Sequence, residues 1–257
     1  NQGLSFEELQ RPHVTFTCNL TKPTKSMPAL LTLSEVITIF HEFGHCLHGL
    51  LSQCKYTSIS GTHVKWDFVE LPSQIMENWV VEHETLDLFA KHYKTDEKIS
   101  KKLIDKIIAS KKYMAGWYSL RQLQFAFLDM AWYTTKPNQI KDLFEFEKIT
   151  NETTKLISGV EGEFMSGTFS HIFAGGYSSG YYSYKWAEVL EADAFESFKK
   201  NGIFNKDVAD SFRKNILEKG NSESPMELYI KFKGRKPTID ALLKRDGLDL
   251  YFNKVIA

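Results

Sequence analysis

One five-residue stretch constrains this chain more than any other: His41-Glu42-Phe43-Gly44-His45, set inside a helix with a sharp start. Thr32 followed three residues later by Glu35 is a capping box, and apolar residues at Val36, Ile37, Phe40, Leu47, Leu50 and Leu51 continue a helical face. Residues four apart on a helix stack on one side, so both imidazoles can reach a single ion. Zinc accepts neutral imidazole nitrogen at about 2.0–2.1 Å, and two such ligands leave room for a third ligand and a water. Glu42 projects beside the pair, where a carboxylate can take a proton from water. The competing reading, two core histidines and a solvated Glu42, is disfavoured by the defined amphipathic helix.

The third ligand separates subclasses of such sites. A continuation with Gly seven and His ten residues after the first His marks one subclass; here those positions are His48 and Leu51. The other arrangement takes a carboxylate from a second helix downstream, and Asp67, Glu70, Glu77, Glu82 and Glu84 are candidates. Spacing does not choose among them. Glu70 has a geometric argument, because it opens a helix beside the irregular 55–66 segment without competing with that helix's buried stripe. His48, one turn further along α-helical spacing, reads as a polar neighbour of the cleft.

The remaining sequence is predominantly helical with a minor β element. Residues 1–30 read as irregular around Pro12, Pro23 and Pro28, with a β-prone run from Val14 to Cys18. Residues 55–66 suggest a small hairpin or extended loop. Helices are expected at about 70–93 with Pro72 in the first turn, and at about 97–115, 118–133 and 140–148. A Gly- and Ser-rich stretch covers 158–176, and helices follow at about 177–200, 206–218, 224–232 and 237–246. Lys plus Arg equals Asp plus Glu at 32 each, which gives no support for nucleic-acid binding or an anionic membrane surface. No apolar run is long enough to span a bilayer. Cys18, Cys46 and Cys54 have no disulfide-framework spacing and read as free thiols in a reducing compartment, so a cytoplasmic location is expected.

A second unusual stretch runs from His171 through Gly175, Gly176, Tyr177, Gly180, Tyr181 and Tyr182 to Tyr184. No Gly-Lys-Ser/Thr follows the glycines, so a phosphate loop is excluded. A helix starting near Tyr177 would place Tyr177, Tyr181 and Tyr184 on one face, which alone reads as a packed aromatic stripe. Next to a metal motif the same phenols gain a chemical use: hydrolysis of an amide develops an oxyanion that needs a second donor, and a glycine hinge lets such groups close over substrate.

These segments together resemble the thimet oligopeptidase–neurolysin family of zinc metallopeptidases, which includes bacterial oligopeptidase A and dipeptidyl carboxypeptidase. The matching residues are Phe40-His41-Glu42-Phe43-Gly44-His45 with Leu47-His48, Asp67 to Gln74, Glu77-Asn78-Trp79, and His171 to Trp186. Tyr181 to Trp186 and Gly234-Arg235-Lys236-Pro237 look most like the oligopeptidase A branch. The resemblance implies a mainly α, gluzincin-type, neurolysin-like catalytic domain over 1–257, the C-terminal part of a longer chain. It implies one zinc ion per chain on His41, His45 and Glu70, with Glu42 as general base. It also implies that His171, Tyr177, Tyr181 and Tyr184 contact substrate or transition state, Tyr184 being the candidate oxyanion donor. Short peptides are the expected substrates, cut at internal bonds, with an N-terminal helical region of the parent chain as the opposite wall of the cleft. Release of C-terminal dipeptides, or a non-catalytic zinc-stabilised domain, are the alternatives.

Overall fold

The structure is a computed structural model and describes residues 3–4, 9–10, 12–155 and 162–249. Among the described residues twelve α-helices carry the fold, and the only sheet is the two-residue antiparallel pair β1 (Gly3–Leu4) and β2 (Leu9–Gln10). The helices are α1 (Leu33–Leu51), α2 (Trp66–Val69), α3 (Leu71–Glu77), α4 (His83–Phe89), α5 (Lys101–Lys111) and α6 (Ala115–Thr134). They continue as α7 (Leu143–Asn151), α8 (Ser170–Phe173), α9 (Tyr182–Asn201), α10 (Lys206–Phe212), α11 (Pro225–Lys233) and α12 (Asp240–Asp246).

The start of α1 is the capping box that the sequence spells. The Glu35 backbone N–H donates to Thr32 Oγ1 at 3.2 Å, and the Thr32 N–H donates back to Glu35 Oε2 at 2.7 Å. Glu35 Oε1 also accepts from the Thr21 N–H at 2.6 Å, which ties the preceding extended segment to the helix. That segment crosses α1, with Val14 against Gly49 and the Phe16 ring edge-on to Phe43 at 6.3 Å. It runs extended through Val14–Cys18 without joining a sheet, so the β-prone run forms no strand.

One other expectation is narrowed and two are corrected. Residues 55–66 form the loop and not the hairpin of the two alternatives: a 3-10 turn at Thr57–Ile59 and irregular turns lead into α2 at Trp66. The helix expected at 70–93 is broken into α3, a 3-10 turn at Asn78–Val81 and α4. The break is tertiary in origin, because Asn78 and the Trp79 indole are drawn to other elements, the latter donating to the Ile203 carbonyl at 3.1 Å. The helix expected from Tyr177 begins at Tyr182, with Tyr177 and Tyr181 in the turns before it. Part of the 158–176 stretch, 158–161, lies outside the described residues.

The main core gathers Phe68, Leu71 and Ile75 from α2 and α3 against Leu190, Phe195 and Phe198 of α9, and extends to Phe212, Leu228 and Tyr229. A smaller core of Leu128, Phe169 and Ile172 joins α6 to α8. The first packs the metal-motif helices; the second carries the glycine–tyrosine stretch. No described helix is long and apolar enough to cross a membrane.

Candidate metal centre and active site

Helix α1 presents His41 and His45 one turn apart, their rings 5.1 Å between centroids and nearly perpendicular. What approaches them is decided by Gly44. A Cβ on Gly44 would lie 2.2 Å from the Pro72 carbonyl oxygen and 2.5 Å from Ser73 Cα, so only glycine lets the start of α3 press onto α1. Glu70 sits at that junction, ending α2 and preceding α3, and is almost completely buried. Its Oε2 lies 3.3 Å from His41 Nε2 and 3.2 Å from His45 Nε2. The ligand-type atoms of His41, His45 and Glu70 all fall within 4.8 Å of one another, a group that could hold a metal ion.

The carboxylate is held from every side. Ser73 Oγ donates to Glu70 Oε2 at 2.8 Å, and the Tyr177 hydroxyl donates to Oε1 at 2.6 Å. Burial alone would push the Glu70 carboxyl up, but hydrogen bonds from His41, His45 and Tyr177 hold it well below the usual carboxylate range. Burial likewise disfavours charge on His41, yet Glu70 and Glu77 outweigh it and raise it to about 10. Glu77 Oε1 contacts His41 Nδ1 at 2.7 Å, which orients the ring with Nε2 toward Glu70. His41, His45 and Glu70 would hold a dication in place of the protons they share, as ligand sets do.

Of the other candidate acids, Glu77 faces the far nitrogen of His41 instead of joining the group, and Glu82 pairs with Lys199 at 2.7 Å. Asp67 lies near the Tyr182 hydroxyl. His48 is fully buried, and neither ring nitrogen has a protein partner among the described residues. It lies one turn beyond Gly44 on the face that α3 covers, so it is a core residue and not a polar neighbour of the cleft. Burial, with the nearby His45, pushes its imidazole down to about 3, so it is neutral.

Glu42 is half-buried beside this group. Its charge reaches Tyr184, whose phenol burial and the nearby acids push up to about 12, and it also reaches Cys18, whose thiol burial and Glu42 push up. Tyr184 stacks on Tyr177 with ring centroids at 4.9 Å, and Tyr181 lies 5.1 Å away. His171 is exposed and stands edge-on to Tyr181 at 5.8 Å and to Tyr184 at 6.3 Å. All four residues therefore meet at one place, though not as the single helical stripe their spacing suggested.

The turn geometry explains how they meet. Gly176 has φ of +87°, a left-handed conformation that favours glycine, and a Cβ placed there would meet the Trp66 ring at 3.5 Å. Trp66 in turn packs on Tyr177 at 4.7 Å. Asp129, fully buried on α6, accepts the Ser179 N–H at 2.8 Å and the Tyr181 N–H at 2.9 Å. This fixes the turn that delivers Tyr177, Tyr181 and Tyr184 to the metal group.

The sequence reading had not found Asp129, Ser73, Trp66 or the role of Glu77. Two carried a signal. Asp129 is the lone charge in the apolar run Phe125–Trp132, and Glu77 is seven residues after Glu70, a helical repeat that returns to the same face. Ser73 and Trp66 had none, since their meaning depends on a carboxylate and a tyrosine brought from elsewhere.

Comparison with known proteins matches this geometry to a family. The sequence pattern of peptidase family M3 matches residues 1–248. Oligopeptidase A of Salmonella typhimurium is 47% identical over 93% of this chain, and so is oligopeptidase A of Escherichia coli. The dipeptidyl carboxypeptidase of Escherichia coli is 36% identical, also over 93% of the chain. The chain spans 36% of the length of either oligopeptidase A and 35% of the carboxypeptidase. A mainly helical fold, a His-His-Glu group on α1 and the α2–α3 junction, and a match along nearly the whole chain give one conclusion: the chain belongs to peptidase family M3.

Proposed function

We propose that this chain forms the catalytic core of a zinc-dependent oligopeptidase that cuts internal bonds of short peptides. The observation that carries the reading is the convergence of His41 Nε2, His45 Nε2 and Glu70 Oε2 beside Glu42. The donor set suits zinc: two imidazoles and one carboxylate make three protein ligands and leave a fourth position open, the pattern of a catalytic rather than a structural site. Zinc, when bound, supplies Lewis acidity that polarises a peptide carbonyl and lowers the pKa of water.

The chain's own residues supply the rest. Glu42 accepts the proton from attacking water and passes it to the leaving amine. Tyr184 remains a protonated donor at neutral pH and hydrogen-bonds the developing oxyanion. His171, Tyr177 and Tyr181 line the adjoining surface and hold the peptide, while the aromatic cluster keeps bulk water from the reacting atoms. Glu77 and Ser73 keep the first His and Glu70 in orientation.

The decisive experiment is Glu42→Gln in the full-length protein. Turnover is expected to disappear while metal content stays near that of the parent; retained turnover, or loss of the metal, overturns the assignment. The higher identity to oligopeptidase A than to dipeptidyl carboxypeptidase supports internal cleavage. A peptide with an amidated C-terminus separates the two, since an enzyme that releases C-terminal dipeptides needs the free carboxylate. The longer length of the relatives, and the exposed Tyr113, Phe127, Phe144 and Ile149, support a further region of the protein as the opposite wall of the cleft. Free Cys18, Cys46 and Cys54 support a reducing location such as the cytoplasm.

A further inference from the structure

Behind the metal group lies a second cluster of charged side chains that the reaction does not use. Glu191, on α9, is 2% exposed, and its two oxygens are spoken for by different elements. Oε2 accepts from Asn78 Nδ2 at 2.5 Å, and Oε1 accepts from the Arg245 guanidinium of α12. Asn78 Nδ2 also donates to the Ile75 carbonyl at 3.1 Å, so the end of α3 is fastened to α9 at this one side chain. Glu77, the residue immediately before Asn78, bears on His41 Nδ1. Lys111 of α5 lies within electrostatic reach of Glu77, Glu191, Arg245 and Asp246. Arg245 additionally touches Asp246 at 3.2 Å and Glu188 at 3.9 Å.

We propose that Arg245 is a positioning residue for the metal centre, acting through Glu191 and Asn78 to fix the placement of Glu77 against His41. The physical reason is charge. A buried carboxylate without a cation is strongly disfavoured in its ionised form. With Arg245 present, one Glu191 oxygen is engaged by the guanidinium and the other is turned to Asn78; without it, the buried carboxyl is no longer held in register with the Asn78 amide. Asn78 then loses its anchor, and the 3-10 turn that begins there loosens. Glu77 is the adjacent residue, and among the described residues its side chain hydrogen-bonds only His41, so it moves with that turn. A contact on the last described helix thereby reaches the first His of the motif in three steps. Such outer partners of a metal-ligating His commonly affect metal affinity about 10–100-fold.

The inference rests on the zinc reading of His41, His45 and Glu70, and the test separates the two. Zinc affinity is measured by competition with a chromophoric chelator on the full-length protein, for the parent, Arg245→Met, Glu77→Gln and the double variant. Thermal unfolding of the metal-stripped proteins is recorded in parallel. Arg245→Met is expected to weaken zinc about tenfold in the parent background and by much less when Glu77 is already Gln, because the charge that the route places against His41 is then gone. Equal weakening in both backgrounds overturns the proposed route, since a general loss of packing would act regardless of Glu77. Parent affinity in Arg245→Met overturns it as well. A parent that binds no zinc overturns the underlying metal reading, a separate and recognisable result. Should Arg245→Met be too unstable to purify, Glu191→Met, which removes the acceptor of Asn78 and leaves Arg245 its contacts to Asp246 and Glu188, goes through the same cycle with the same expectation.

Discussion

The two halves of the site are built in opposite ways. The metal cradle is made by two helix surfaces in backbone contact, Gly44 under Pro72, with a buried carboxylate bonded on each side. The tyrosine cluster hangs on a turn with left-handed residues at Gly176 and Ser179, anchored by the two backbone N–H groups that Asp129 accepts. The first is a packing problem and tolerates no added atom. The second is a hydrogen-bonding problem, set by the two N–H groups that Asp129 accepts. Under the proposed function the contrast has a use, since ligands to an ion need fixed places and donors to a peptide need correct orientation.

The harshest way to break that contrast is Gly44→Ala. A methyl 2.2 Å from the Pro72 oxygen forces α1 and α3 apart, so Glu70 leaves the imidazoles. Loss of bound metal is expected, together with destabilisation of about 3 kcal/mol or more from overpacking against backbone; metal content and thermal unfolding read both. Next in size is Tyr184→Phe, which keeps the stacking on Tyr177 and removes the donor. Turnover should fall about 10²–10³-fold with metal affinity unchanged. A parental rate would return the tyrosines to a packing role.

Asp129→Asn probes the anchor itself. One charged acceptor becomes a neutral amide, which costs a charge-assisted hydrogen bond, so kcat/KM should drop about tenfold. Zinc affinity is expected to change by less than kcat/KM, because Tyr177 is the member of the turn that hydrogen-bonds Glu70; an equal fall in both would mean the two halves act as one. The smallest effect concerns pH. Burial and the nearby Glu70 and Glu42 carboxylates raise Tyr184 to about 12, and a phenol donates only while protonated. Its contribution is therefore complete below that pH and is lost only as pH rises through it. The ratio of parental to Tyr184→Phe rates should be flat between about pH 7 and 10, and a ratio that declines there would mean the phenol ionises earlier.

How far the sequence reached differs between these regions for physical reasons. Helix α1 was legible because its determinants are local: the cap is three residues wide, and the two His lie one turn apart. The broken path from α2 to α4 was not, since Asn78 and Trp79 leave the helix for Glu191 and Ile203, more than a hundred residues away. Tyr177, Tyr181 and Tyr184 were picked out together, but by a helical spacing that only Tyr184 obeys. The burial of His48 was hidden for the same kind of reason, because exposure depends on what α3 lays across α1.

By itself, then, the order of residues determined a helix that opens at Thr32, a pair of imidazoles one turn apart with an acid between them, and a glycine-punctuated set of phenols. Spacing along one helix fixes such relations because a helix has a single period. Which acid completes the group, which nitrogen of His41 faces it, and what holds the tyrosines in place were decided only when α3, α6 and α9 packed against α1 and the 170–184 turn. Those relations depend on contacts between distant segments, and steric fit at Gly44 and the charge buried at Glu70, Asp129 and Glu191 selects them.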